Sequence, residues 1–102
     1  MNPSERLFVI GLNHLNAPVA AREKAIISSL NLPGTLAHLK ELASLEEVVV
    51  LSTCSRVEVY GVCADPNLAS TVVRSWFSSR VSADVATALY VHAGSDALLH
   101  LF

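Results

Sequence analysis

The residues best suited to chemistry stand at Leu51-Ser52-Thr53-Cys54-Ser55-Arg56, where an aliphatic run gives way to a cysteine with a cation two positions on. The thiolate is the nucleophilic form of cysteine, and a nearby guanidinium favours it. A thiol held on a short loop by a rigid sheet suits covalent catalysis. The plainer reading of Cys54 is a small apolar side chain packed at a strand end. Cys63, between Val62 and Ala64, has no polar company and is read that way. Four histidines complete the inventory. His38 is expected on the solvent side of a helix, and His92 at a sheet edge. His14 follows a strand and His100 lies on the last helix, so either could act as the base that activates Cys54; periodicity does not choose between them. No pair of Cys or His has the close spacing of a zinc site. The four glycines, Gly11, Gly34, Gly61 and Gly94, are too scattered for a dinucleotide or phosphate loop.

Several elements must position these groups. Leu7 to Asn13 is an apolar run suited to a central strand covered on at least one face. Pro18 fits a helix start, and Ala20 to Leu30 reads as helix. Asn31-Leu32-Pro33-Gly34 is punctuation, after which Leu36, Leu39 and Leu42 or Ala43 recur at helical spacing. Glu46 to Ser52 has the continuous apolar run of a buried strand, and from Arg56 an alternating pattern returns antiparallel after a short turn. Asp65-Pro66 caps a helix whose stripe is Leu68, Val72, Trp76 and Phe77. Ser82 opens a short helix with Val85 and Leu89, Tyr90-Val91-His92 is extended, and Ser95 caps a last helix. The order predicts an α+β fold, a ferredoxin-like split βαβ sheet with helices packed mainly on one face.

At 102 residues the chain is one module, with no boundary between residues 1 and 102. Its 52% hydrophobic content furnishes a core, and 16% charged residues exclude a disordered tail. The aliphatic runs fall far short of the roughly 20 residues that span a bilayer. With no secretory signal pattern, the expected setting is the cytoplasm, where both cysteines remain thiols. Seven basic against nine acidic residues, without a basic stripe, make a poor grip for nucleic acid on their own.

Two segments together resemble glutamyl-tRNA reductases. Gly11-Leu12-Asn13-His14 with Ala17-Pro18-Val19 and Arg22-Glu23 is similar to that family's G-x-N-H-x-x-A-P-V element. Leu51 to Tyr60 is similar to its S-T-C-N-R-x-E nucleophile segment, with Ser55 where asparagine is common. Leu15-Asn16 stands in place of a more usual basic-Thr pair. The resemblance implies NADPH-dependent reduction of glutamyl-tRNA to glutamate-1-semialdehyde, the first committed step of tetrapyrrole (5-aminolevulinate) synthesis. It makes Cys54 the nucleophile that holds glutamate as a thioester, and His100 the catalytic histidine. Arg56 becomes a clamp for the substrate's side-chain carboxylate, with Thr53 and Ser55 supplying polar contacts and amides. As an alternative for Arg56, pairing with Glu58 or Glu47 on an exposed strand would be worth about 0 to 1 kcal/mol.

The family's NADPH-binding and helical dimerisation domains have no counterpart in these residues. The resemblance thus implies cofactor binding elsewhere, tRNA held mainly by other regions, a homodimeric full-length protein, and glutamate-1-semialdehyde aminomutase as a partner. The last helix, about two turns ending on Leu101-Phe102 without a cap, is expected to be marginal by itself, as in a piece of a longer reductase. A competing reading is a non-enzymatic ferredoxin-like regulatory or protein-interaction module. An RNA-recognition domain would require exposed stacking aromatics, for which the strands offer only Phe8 and Tyr60.

Overall fold

A computed structural model describes residues 3–13, 15, 30–53, 55–81 and 86–101. The expected helix over Ala20 to Leu30, except Leu30 itself, the start of the one expected from Ser82, and the residues His14 and Cys54 lie outside the described residues. After a 3-10 turn at Pro3–Arg6, the described elements are β1 (Leu7–Asn13), α1 (Leu32–Leu42), β2 (Glu47–Ser52), β3 (Arg56–Val62), α2 (Pro66–Ser78), β4 (Tyr90–Ala93) and α3 (Ser95–Leu101). The strands form one sheet in the order β2-β3-β1-β4 with every neighbouring pair antiparallel. This is the ferredoxin-like α+β arrangement that the element order predicts.

The period of two along each strand assigns the faces. On one face Phe8, Ile10 and Leu12 of β1 meet Val57 and Val59 of β3, and this layer packs against Leu39 of α1 and Ala69, Val73 and Phe77 of α2. The opposite face carries Val9, Tyr60 and Leu51 under Ala97 of the short helix α3. The two longer helices thus share one face, and α3 covers part of the other. Gly94 makes the turn from β4 into α3 with φ 65°, a left-handed conformation that a side chain would strain, and its amide donates to Leu7 O at 2.8 Å.

Several expectations need correction. Pro33 and Gly34 lie inside α1 rather than before it, because a proline in the first helical turn gives up an amide that has no partner there. The buried stripe of α2 is Ala69, Val73 and Phe77, while Leu68 is 63% exposed. Trp76 is half-buried, edge-on to Phe77 at 5.0 Å, with the Arg80 guanidinium 4.9 Å from its ring centroid. β2 is an edge strand with Val49 54% exposed, although its apolar run reads as a strand covered on both faces. Ser95 is the first residue of α3, so Gly94 precedes the helix where Ser95 was expected to.

Candidate active site

The β2–β3 hairpin places the cysteine-bearing turn between Thr53 and Arg56. The Thr53 amide donates to Arg56 O at 2.8 Å and closes the turn. The Thr53 hydroxyl oxygen accepts from the amides of Ser55 at 3.3 Å and Arg56 at 3.2 Å, and lies 3.2 Å from Ser55 Oγ. This hydroxyl gives the turn an internal substitute for backbone pairing, the usual role of Thr at such a position. Thr53 and Ser55, which flank the cysteine in sequence, are both exposed. The side-chain and amide groups expected to serve a substrate hold the turn itself.

Arg56 and Glu58 project from β3 onto the face covered by α3, one same-face step of about 7 Å apart. Glu58 is fully buried, a rare position for a carboxylate without partners. Its Oε1 faces Arg56 Nη1 at 3.2 Å and accepts from the Tyr60 hydroxyl at 3.3 Å. Its Oε2 accepts from the Tyr90 hydroxyl at 2.5 Å and lies 2.5 Å from His100 Nε2. The His100 ring stands 5.0 Å from Tyr90 and 4.7 Å from His92, centroid to centroid. Arg56 therefore does pair with Glu58, but the pair is sunk into a buried network rather than lying on an exposed strand. The structure brings Arg56 and His100 to one carboxylate, while exposed His38 on α1 is apart from it.

Gly11 explains how a strand-centre glutamate fits. It is the β1 partner of Glu58 on one side and of Tyr90 on the other. A Cβ at Gly11 would lie 2.4 Å from Val57 O and 2.8 Å from Glu58 Cγ. Asn13, on the same face two residues on, is a hydrogen-bond partner of the Tyr90 hydroxyl. The Gly-x-Asn element of β1 and the Arg-x-Glu element of β3 are thus two sides of one site.

Burial, followed by the nearby Glu58 charge, pushes the Tyr60 hydroxyl up to about 12, and burial with the Glu58 hydrogen bond raises Tyr90 as well. Folding favours the neutral phenol, so the stability that Tyr60 supports is complete below about pH 10 and is lost as pH climbs through about 12. Thermal unfolding followed across that window should show an alkaline loss of stability that Tyr60→Phe reduces; an unchanged alkaline slope in the variant would count against this burial. Cys63 is buried, and burial raises its thiol pKa, in keeping with a packing role. Phe8 and Tyr60, the aromatics that an RNA-stacking sheet would have to expose, are both buried.

Glu58, Tyr90 and Gly11 were not among the site residues expected from sequence. Alternation gave no signal for Glu58, since between Val57 and Val59 it reads as a solvent-facing position, and only partners from β4 and α3 enclose it. Among the described residues no helix is long and apolar enough to cross a membrane. All neighbouring strands among the described residues are antiparallel and none forms the parallel strand–helix turn that cradles a pyrophosphate, so these residues do not fit NADPH.

Residues 10–102 match the family model described as glutamyl-tRNAGlu reductase, N-terminal domain. The chain is 42% identical over 100 residues to the glutamyl-tRNA reductase of Magnetococcus marinus, covering 95% of this chain and 24% of that protein. It is 37% identical over 99 residues to the glutamyl-tRNA reductase of Heliobacterium mobile, covering 94% of this chain and 22% of that protein. The solved glutamyl-tRNA reductase from Methanopyrus kandleri superposes with a TM-score of 0.69 at 28% identity, over 95% of this chain and 21% of that one. The chain thus spans about a quarter of the length of the curated relatives it matches. With the family model covering all but the first nine residues, the chain belongs to the glutamyl-tRNA reductase N-terminal domain family.

Proposed function

We propose that this chain is the thioester-forming module of a cytoplasmic glutamyl-tRNA reductase, with Cys54 as nucleophile. The observation that carries the reading is the meeting of Arg56 and His100 on Glu58, beside the turn that bears Cys54, in a domain of this family. The Cys54 sulfur attacks the ester carbonyl carbon of glutamyl-tRNA. A carbon–sulfur bond forms, the carbon–oxygen bond to the terminal ribose breaks, and the thiol proton ends on the departing ribose hydroxyl. No electrons are transferred in this step. A thioester accepts hydride more readily than an oxygen ester, because sulfur donates less density into the carbonyl. The later reduction needs NADPH, which we assign to a separate domain, and no step here is routed through it.

The α-carboxyl is consumed in the ester, which leaves the side-chain carboxylate as the substrate's anionic handle. Arg56 is 37% exposed while Nη1 faces Glu58, so the guanidinium has surface left to clamp that carboxylate. His100 passes the proton between thiol and leaving oxygen. Thr53 and Ser55 shape the turn and line the approach. The tRNA is held mainly by other regions of the full protein, which we take to be a homodimer that hands its product to glutamate-1-semialdehyde aminomutase.

Incubating the chain with glutamyl-tRNA and reading intact mass under acid conditions should reveal one glutamyl group, released by hydroxylamine and mapped to the Cys54 peptide. Absence of label on Cys54 in a protein that includes the tRNA-binding regions would overturn the reading in favour of an interaction module. In such a protein His100→Ala should slow thioester formation on the order of 100-fold with little change in glutamyl-tRNA affinity. An equal loss in affinity would make His100 a binding residue instead.

A further inference from the structure

Glu58 is the one fully buried charged side chain among the described residues, and it sits at the centre of four polar neighbours from β3, β4 and α3. An ionised carboxylate only accepts hydrogen bonds. The hydroxyls of Tyr60 and Tyr90 donate hydrogen bonds to it, and the guanidinium of Arg56 forms an ion pair with its Oε1. The imidazole nitrogen 2.5 Å from Oε2 must then carry a proton too, since two lone pairs do not share that distance. In the neutral ring this fixes the tautomer with hydrogen on Nε2 and the lone pair on Nδ1.

We infer that Glu58 is a positioning residue: it locks His100 in the Nε2–H tautomer, leaving Nδ1 as the nitrogen that exchanges the proton with the nucleophile, and anchors Arg56 by its other oxygen. The assignment of a proton-transfer role to His100 rests on the function proposed above, whereas the tautomer follows from the Glu58 contacts alone. The same carboxylate sets both the base and the clamp, so the two cannot drift independently across the open face of the sheet. The arrangement has the logic of an orienting acid behind a histidine, where the wrong tautomer places the proton on the side that should accept one. Gly11 keeps the space over β1 empty so that the carboxylate reaches this position.

Long-range proton–nitrogen correlation on the 15N-labelled chain reads the tautomer directly. The expected result is a pyrrole-like Nε2 and a pyridine-like Nδ1 for neutral His100; a ring protonated on Nδ1 overturns the inference. Glu58→Gln should mix the two tautomers and, in a protein that accepts glutamate, slow thioester formation on the order of 100-fold. A variant that folds, keeps the Nε2–H tautomer and keeps its rate overturns the positioning role. If Glu58→Gln does not fold, the wild-type spectrum still decides the tautomer. If a protein that includes the tRNA-binding regions forms no thioester, the function proposed above fails while the spectrum continues to test Glu58.

Discussion

Cys54→Ser is expected to remove acid-stable glutamyl transfer altogether, the largest effect of any single substitution here. The hydroxyl of serine is a far weaker nucleophile than a thiolate at neutral pH, and it would need a strong base to be deprotonated. Even if it reacted, the product would be another oxygen ester, with no gain as a hydride acceptor over the substrate. The measurement is hydroxylamine-labile glutamate on the protein after quenching in acid, compared with Cys63→Ser. Cys63 is buried with its thiol pKa raised, so its replacement should leave transfer in place. Wild-type transfer in Cys54→Ser, or loss of transfer only in Cys63→Ser, would sink the assignment of the nucleophile.

Gly11→Ala is expected to have the largest effect on stability, about 3 kcal/mol or more. β1 is hydrogen-bonded to β3 on one side and β4 on the other, so its backbone has no free edge toward which to shift. The new methyl group would meet Val57 O at 2.4 Å and the Glu58 Cα at 2.9 Å, both on β3. Only movement of the central strand pair, or expulsion of the Glu58 side chain, relieves those contacts. Either response also separates the carboxylate from His100 and Arg56, so thioester formation should fall with stability. Urea unfolding gives the first readout and acyl transfer the second. A variant with wild-type stability would show that β1 and β3 do not approach this closely.

Much of the architecture was legible because its signals are local. The Asp65 side chain accepts from the Leu68 amide at 3.2 Å, as the Asp-Pro pair announces, and the hairpin through Thr53 follows from two β patterns separated by short polar residues. The exposed position of Leu68 was not legible. The pair Leu68/Ala69 admits two overlapping stripes on α2, and contact with the sheet, where Val73 and Phe77 insert, selects the one through Ala69. The Val/Leu run of β2 likewise does not state how many neighbours the strand will have. Its place at the edge follows from β3 pairing with β1 on its other side.

The site divides in the same way. Residue type and spacing along the chain mark the cysteine-bearing turn, the cation two residues on and the histidines that could serve it, since nucleophile and cation are properties of a short segment. Burial of Glu58 belongs to no segment. It requires Gly11 to vacate the opposite strand, Tyr90 to arrive from β4, and α3 to bring His100 over the sheet, four stretches of chain joined by antiparallel pairing and one helix packing on the open face. A carboxylate in water and one enclosed by these donors read identically in the sequence; only long-range pairing replaces its water with partners, and that exchange turns a strand glutamate into the centre of the site.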